Sequence, residues 1–114
     1  MPNPNLTATE AIKAVDEARA LARRHPAIHY VTFGQVHTHR IADITFDCDS
    51  VAYYMALDAD QGRAIAFELF DRKFCFEYHG ADFNVESLKY FPRGLIAVPQ
   101  AYVEQLEAFN RPRD

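Results

Sequence analysis

The chain has no tryptophan, only two cysteines and only four glycines in 114 residues. Each scarcity excludes something. Cys48 and Cys75 form neither a C-x-x-C nor a zinc-like spacing, so a disulfide framework and a cysteine zinc site are not expected, and the pair reads as two free thiols in a reducing compartment. The sequence contains no glycine-rich phosphate loop, nucleophile elbow or HExxH helix. No apolar run approaches the ~20 residues that a membrane span needs. The opening "MPNPNLTATE" lacks both the basic start and the apolar core of a secretion signal. A cytoplasmic, soluble protein with no membrane partner is the expectation. An excess of basic residues is missing too: the net charge is −4 and the pI about 5.7, which disfavours a nucleic-acid partner, because phosphate backbones call for a basic surface.

What is present describes a globular chain. The length suits one α+β domain spanning residues 1–114, with 1–6 and 110–114 expected to fray. Hydrophobic residues make up 49% and charged residues 25%, an ordinary balance that argues against intrinsic disorder. Phenylalanine and tyrosine must supply the bulk of the core. That is the simpler explanation of Tyr30, Phe33, Tyr53, Tyr54, Phe74, Phe76 and Tyr78 than an RNA-stacking platform.

The clearest element is a helix from Thr7 to Arg24. Thr7 and Glu10 have the spacing of a capping box, and Ala8, Ala11, Ile12, Val15, Ala18, Leu21 and Ala22 form one apolar stripe. Arg23, Arg24 and His25 place positive charge at its end, before Pro26. "IHYVTFGQVHTHRI" then reads as strand, with Gly34 as a bulge, and "ITF" pairs back across Ala42–Asp43 as a hairpin. "DCDS" turns into the strand "VAYYMAL". Asp58 starts a helix over Ala59–Phe70, in which Gly62 costs helix propensity but permits close approach to the sheet. "KFCFEYH" alternates, with Phe74, Phe76 and Tyr78 expected inward and Cys75, Glu77 and His79 outward. Asn84 caps a short turn to Tyr90, "LIAV" is a last strand, and Pro99 opens a final helix through Phe109. The expected fold is a two-layer sandwich, a mostly antiparallel four-stranded sheet with helices on one face. The strands "VAYYMAL" and "KFCFEYH", joined by a helix, are expected to run parallel.

The candidate chemistry centres on "FGQVHTHRIADITFDCD". His37 and His39 share a face of an extended segment, as do Asp47 and Asp49. Imidazole and carboxylate together suit a divalent metal, zinc or manganese, so the four are the candidate metal ligands. The competing reading is a polar hairpin surface, in which turn aspartates hydrogen-bond nearby backbone amides. Cys75 and His79 on one strand lie ~13 Å apart, too far for a nucleophile–base pair. "YFPRG" sets Arg93 on a rigid turn beside Tyr90. Arg93, Tyr90 and Gln35 are the candidate binding residues, Arg93 able to meet a carboxylate or phosphate or to lock its own turn.

The segments "YVTFGQVHTHRI…TFDCDSVA", "AIAFELFDRKFCFEY" and "YFPRGLIAV" resemble a family of small bacteriophage and prophage proteins of unknown function. Its pattern is FGQ-x-H-x-H-x-I, a tight turn, TFD-x-D-x-V, a helix, F-x-x-K-[FW]-C and FPRG. The matching positions are Phe33–Gln35, His37, His39, Ile41, Thr45–Asp47, Asp49, Val51, Phe70, Lys73–Cys75 and Phe91–Gly94, within residues 30–98. Ala42–Asp43 departs from the Asn-Gly-like turn of the family. The resemblance implies a mobile-element setting and no catalytic role for any residue. The function expected is therefore a non-enzymatic accessory protein that binds a host or phage protein, with inhibition of a host defence as one such role and no cofactor. The alternative is a small metal-dependent hydrolase or nuclease. The oligomeric state is open, a homodimer included.

Overall fold

The computed structural model describes residues 7–110; the expected fraying of 1–6 and 111–114 lies outside these, and Asn110 closes the last helix. Helix α1, Ala8–Arg24, begins at the capping box anticipated above: the Glu10 amide donates to Thr7 Oγ1 at 3.2 Å, and the Thr7 amide donates to the Glu10 carboxylate at 3.1 Å. Its stripe buries Ala18 and packs Val15 and Leu21, while Ile12 stays 64% exposed.

The remaining elements are strands β1 (Ile28–Thr32), β2 (His39–Ile41), β3 (Ile44–Phe46) and β4 (Ser50–Met55), helix α2 (Ala59–Phe70), strand β5 (Phe76–His79), two 3-10 segments (Gly80–Asp82 and Val85–Tyr90), strand β6 (Gly94–Ala97), and short helices α3 (Gln100–Val103) and α4 (Glu107–Asn110). The sheet order is β5-β1-β4-β6, with β2 and β3 forming a separate hairpin. Strand β1 runs antiparallel to both β4 and β5, and β4 runs parallel to β6. The sheet is therefore mixed. The strands "VAYYMAL" and "KFCFEYH" do run in one direction, but β1 lies between them and the parallel neighbour of β4 is β6.

Helices cover both faces of this sheet, not one, so the molecule has three layers rather than the expected two. The alternation within β1 and β4 shows it. Ile28, Tyr30 and Val51 belong to a core with Ala18 of α1 and with Phe83 and Leu88 of the 3-10 region. Val31, Ala52 and Tyr54 point the other way, into a core with Ile65, Ala66 and Phe70 of α2, Val103 and Ala108 of the last helices, and Ile41 and Phe46 of the hairpin. A central strand covered on both faces has no solvent side, and all five residues of β1 are buried.

Three further expectations are revised. Gly34, at φ +64°, sits in a turn between β1 and β2 rather than in a bulge. The last helix is broken into α3 and α4. Strand β5 is covered on both faces rather than one: Tyr78 packs on the core of Ala18 and Phe83 as expected, but Phe76 is 59% exposed, and Glu77 and His79, expected outward, turn toward α2. The hairpin turn falls at Ala42–Asp43 as expected, with both residues left-handed at φ 51° and 65°.

Candidate functional site

The His-x-His and Asp-x-Asp pairs separate into two locks. His39 lies half-buried, its ring 5.7 Å from that of Phe33 and 5.0 Å from that of Phe70, and its Nε2 bonds the Lys73 carbonyl at 2.6 Å. That bond requires the proton on Nε2, since a carbonyl only accepts. His39 thus ties the β2–β3 hairpin to the segment leaving α2. His37 is half-buried and makes no hydrogen bond or ring contact among the described residues.

Asp47 organises the other lock. Its Oδ1 accepts the Asp49 amide at 3.0 Å, as an Asx turn does, and stands 3.3 Å from Arg93 Nη1. The Arg93 amide donates to the Asp49 carbonyl at 2.8 Å, and β4 and β6 pair from Ser50 and Gly94 onward. The "TFDCDS" and "FPRG" segments are therefore joined side by side. "FGQ" and "KFC" meet in the same way: the Cys75 amide donates to the Thr32 carbonyl at 2.8 Å, and a β-carbon at Gly34 would be 3.4 Å from Cys75. Among the described residues, no three His, Cys, Asp or Glu side chains are grouped so as to hold a metal ion. Both cysteines are free thiols, and burial, aided by the neighbouring Asp49, raises the pKa of Cys48, which makes it a poor nucleophile.

A third group of polar residues was not anticipated. His29, at the centre of the sheet, is fully buried. Its Nε2 lies 2.7 Å from Glu77 Oε1, and its Nδ1 lies 3.1 Å from Nδ1 of His79 on the same strand as Glu77. Glu77 Oε2 meets Arg63 of α2 at 3.4 Å, and Tyr54, whose ring is 5.6 Å from that of His29, donates its hydroxyl to the Gly62 carbonyl at 2.7 Å. The pattern assigns the protons: a carboxylate only accepts, so His29 carries its hydrogen on Nε2, and its bare Nδ1 accepts from His79 Nδ1–H. Burial drives the pKa of His29 down from 6.5 to about 4, overriding the pull of Glu77, with His79 and Arg63 adding to the decrease. A carboxylate–imidazole–imidazole chain is thus built into the core, and its partners occupy opposite ring nitrogens, so they cannot share one ion. The sequence carried a signal for it: an uninterrupted apolar run with a histidine inside, and a glycine in the helix that covers it.

The surface feature of note surrounds the 3-10 segment Val85–Tyr90. A cleft of about 330 Å³ separates it from α1 and the Pro92–Leu95 turn, lined in part by Glu17, Tyr53, Leu88 and Arg93. A second, of about 230 Å³, lies between Ile12, Val15 and Arg19 of α1 and Glu86 and Lys89. A third, of about 250 Å³, opens between the segment and β5. Tyr90 is 63% exposed, with Lys89 Nζ 5.2 Å from its ring centroid. Of the three candidate binding residues, Arg93 lines the first cleft and Tyr90 belongs to the segment itself, whereas Gln35 lines none of the three. Comparison with protein families, with curated proteins and with solved structures finds no match to this chain.

Proposed function

We propose that this chain is a small accessory protein, of the phage or prophage kind that its motif segments resemble, and that it acts by binding a host or phage protein through the face around Val85–Tyr90. The observation that supports this is the concentration of three clefts along one short segment, with the large apolar side chains of Ile12, Tyr90 and Phe76 standing in water around it. Exposed apolar groups gathered at concave, polar-rimmed surface are a common mark of protein recognition. The motif side chains have local occupations instead: His39 holds a hairpin, and Asp47 and Arg93 hold two turns together. A component of a host defence system is one class of target that a protein of this size could block.

The test is affinity capture from a host lysate with the wild-type chain and with an Ile12→Asp/Tyr90→Asp double variant of unchanged far-UV spectrum. One partner retained by the wild type and lost by the variant supports the reading. Capture of nothing reproducible, or of a partner indifferent to both substitutions, rejects it.

A further inference from the structure

The cleft between β5 and the 3-10 segment differs from its neighbours in chemistry. Four aromatic residues line it, Phe76, Tyr78, Phe83 and Phe91, together with the acidic residue Asp82. The rings are inclined to one another rather than stacked: Phe76 and Tyr78 are 6.3 Å apart at 35°, and Tyr78 and Phe83 are 5.7 Å apart at 53°. Phe83 is held in place from beneath by Tyr30, stacked at 4.2 Å.

The polar groups of the lining are mostly engaged. Asn84 Oδ1 accepts the Glu86 amide, the Ser87 hydroxyl donates to the Asn84 carbonyl, and the Thr32 hydroxyl faces the Phe76 carbonyl at 3.5 Å. Asp82 is exposed and has no ion pair or hydrogen bond among the described residues. Phe76 is left 59% exposed at the open edge of the sheet.

Three classes of occupant can be compared. An anion would meet the negative ring faces and the Asp82 carboxylate, and would be repelled by both. A neutral apolar group would bury the rings but gain nothing from the carboxylate. A cation gains from both, since an ammonium or guanidinium within ~6 Å of a ring centroid is attracted by the ring quadrupole. The net charge of −4 favours the approach of the same sign of ligand. A flat guanidinium suits inclined rings better than a compact ammonium, because it can lie against a ring face while its edge donates to a carboxylate.

We propose that this pocket receives an arginine side chain of the partner, its guanidinium against Phe76 and Tyr78 and bonded to Asp82. The inference rests on the protein-binding reading and names the chemistry of the partner at one point of the face.

The experiment needs no partner. The full chain is titrated with N-acetyl-arginine methylamide, with the corresponding blocked lysine and leucine, and with free L-arginine, while aromatic proton resonances are followed by NMR. Saturable shifts of Phe76, Tyr78 and Phe83 with blocked arginine in the millimolar range are expected. Asp82→Asn and Phe76→Ala, both at exposed positions and checked for native spectra, should each weaken binding about tenfold. No saturable shift, equal response to blocked leucine or lysine, or indifference to both substitutions overturns the proposal. Free arginine binding more tightly than the blocked form would make this a small-molecule site and overturn the docking role. A working arginine site in a chain that captures nothing would remove the partner, not the pocket; a captured partner beside an unresponsive pocket would do the reverse.

Discussion

Gly62 of α2 lies directly against the ring of His29: a β-carbon built at position 62 would stand 2.1 Å from Nδ1 and 2.5 Å from Cγ and Cε1. The ring cannot retreat, because it is fully buried and held at both nitrogens. Gly62→Ala would gain up to about 1 kcal/mol of helix propensity, yet should lower stability overall by about 2 kcal/mol through overpacking. Chemical denaturation of the variant measures this; an alanine that stabilised the protein would show the helix free to move off the sheet.

The same ring makes stability depend on pH. Between pH 6.5 and about 4 the unfolded chain binds a proton at His29 and the folded chain does not. Stability therefore falls as pH drops through that window and levels off below it. The gap corresponds to roughly 3 kcal/mol from this group alone. Denaturation midpoints at steps from neutral pH down to about 4, with NMR titration of the His29 ring, test it. A ring titrating near its ordinary value would contradict the burial argument.

Asp47 carries two interactions of unequal worth. Its bond to Arg93 joins side chains 27% and 38% exposed, and such pairs contribute about 1 kcal/mol or less. Its acceptance of the Asp49 amide fixes the turn. Arg93→Ala and Asp47→Asn should each cost less than about 1 kcal/mol, since asparagine keeps the acceptor oxygen. Asp47→Ala should cost about 1 kcal/mol more by leaving that amide without its partner. Equal losses for Asn and Ala would mean that the ion pair, not the turn, dominates.

The two hairpin histidines should behave differently. His37→Ala is expected to change stability by no more than about 0.5 kcal/mol. His39→Ala removes a bond to Lys73 and contacts with Phe33 and Phe70, and should cost about 2 kcal/mol. Zinc or manganese should leave the thermal midpoint of the wild type unchanged. Stoichiometric metal with a raised midpoint, abolished in both variants, would restore the hydrolase or nuclease reading.

What could be read from the sequence was local. The Thr7–Glu10 box, the Asp58 cap, the Ala42–Asp43 turn and the close approach at Gly62 depend on residues a few positions apart, and the structure shows each of them. The orientation of β5 depends on what covers the sheet. Alternation in "KFCFEYH" gives the period of the strand but not its sign, and the rule that polar residues face water failed because both faces are covered. Glu77 and His79 turn inward because a histidine 48 and 50 positions earlier needs them. The face around Val85–Tyr90 was legible only as a turn, since two of its clefts are made with α1, which is remote in sequence.

The His29 chain also has a meaning for assembly of the molecule. Its imidazole belongs to the second element of the chain, but both partners come from the strand at Phe76–His79. A slip of one residue in that strand would present Phe76 and Tyr78 to the ring and strand a polar N–H in grease. The histidine therefore acts as a proofreader of strand alignment, penalising the neighbouring registers of the edge strand that pairs with it.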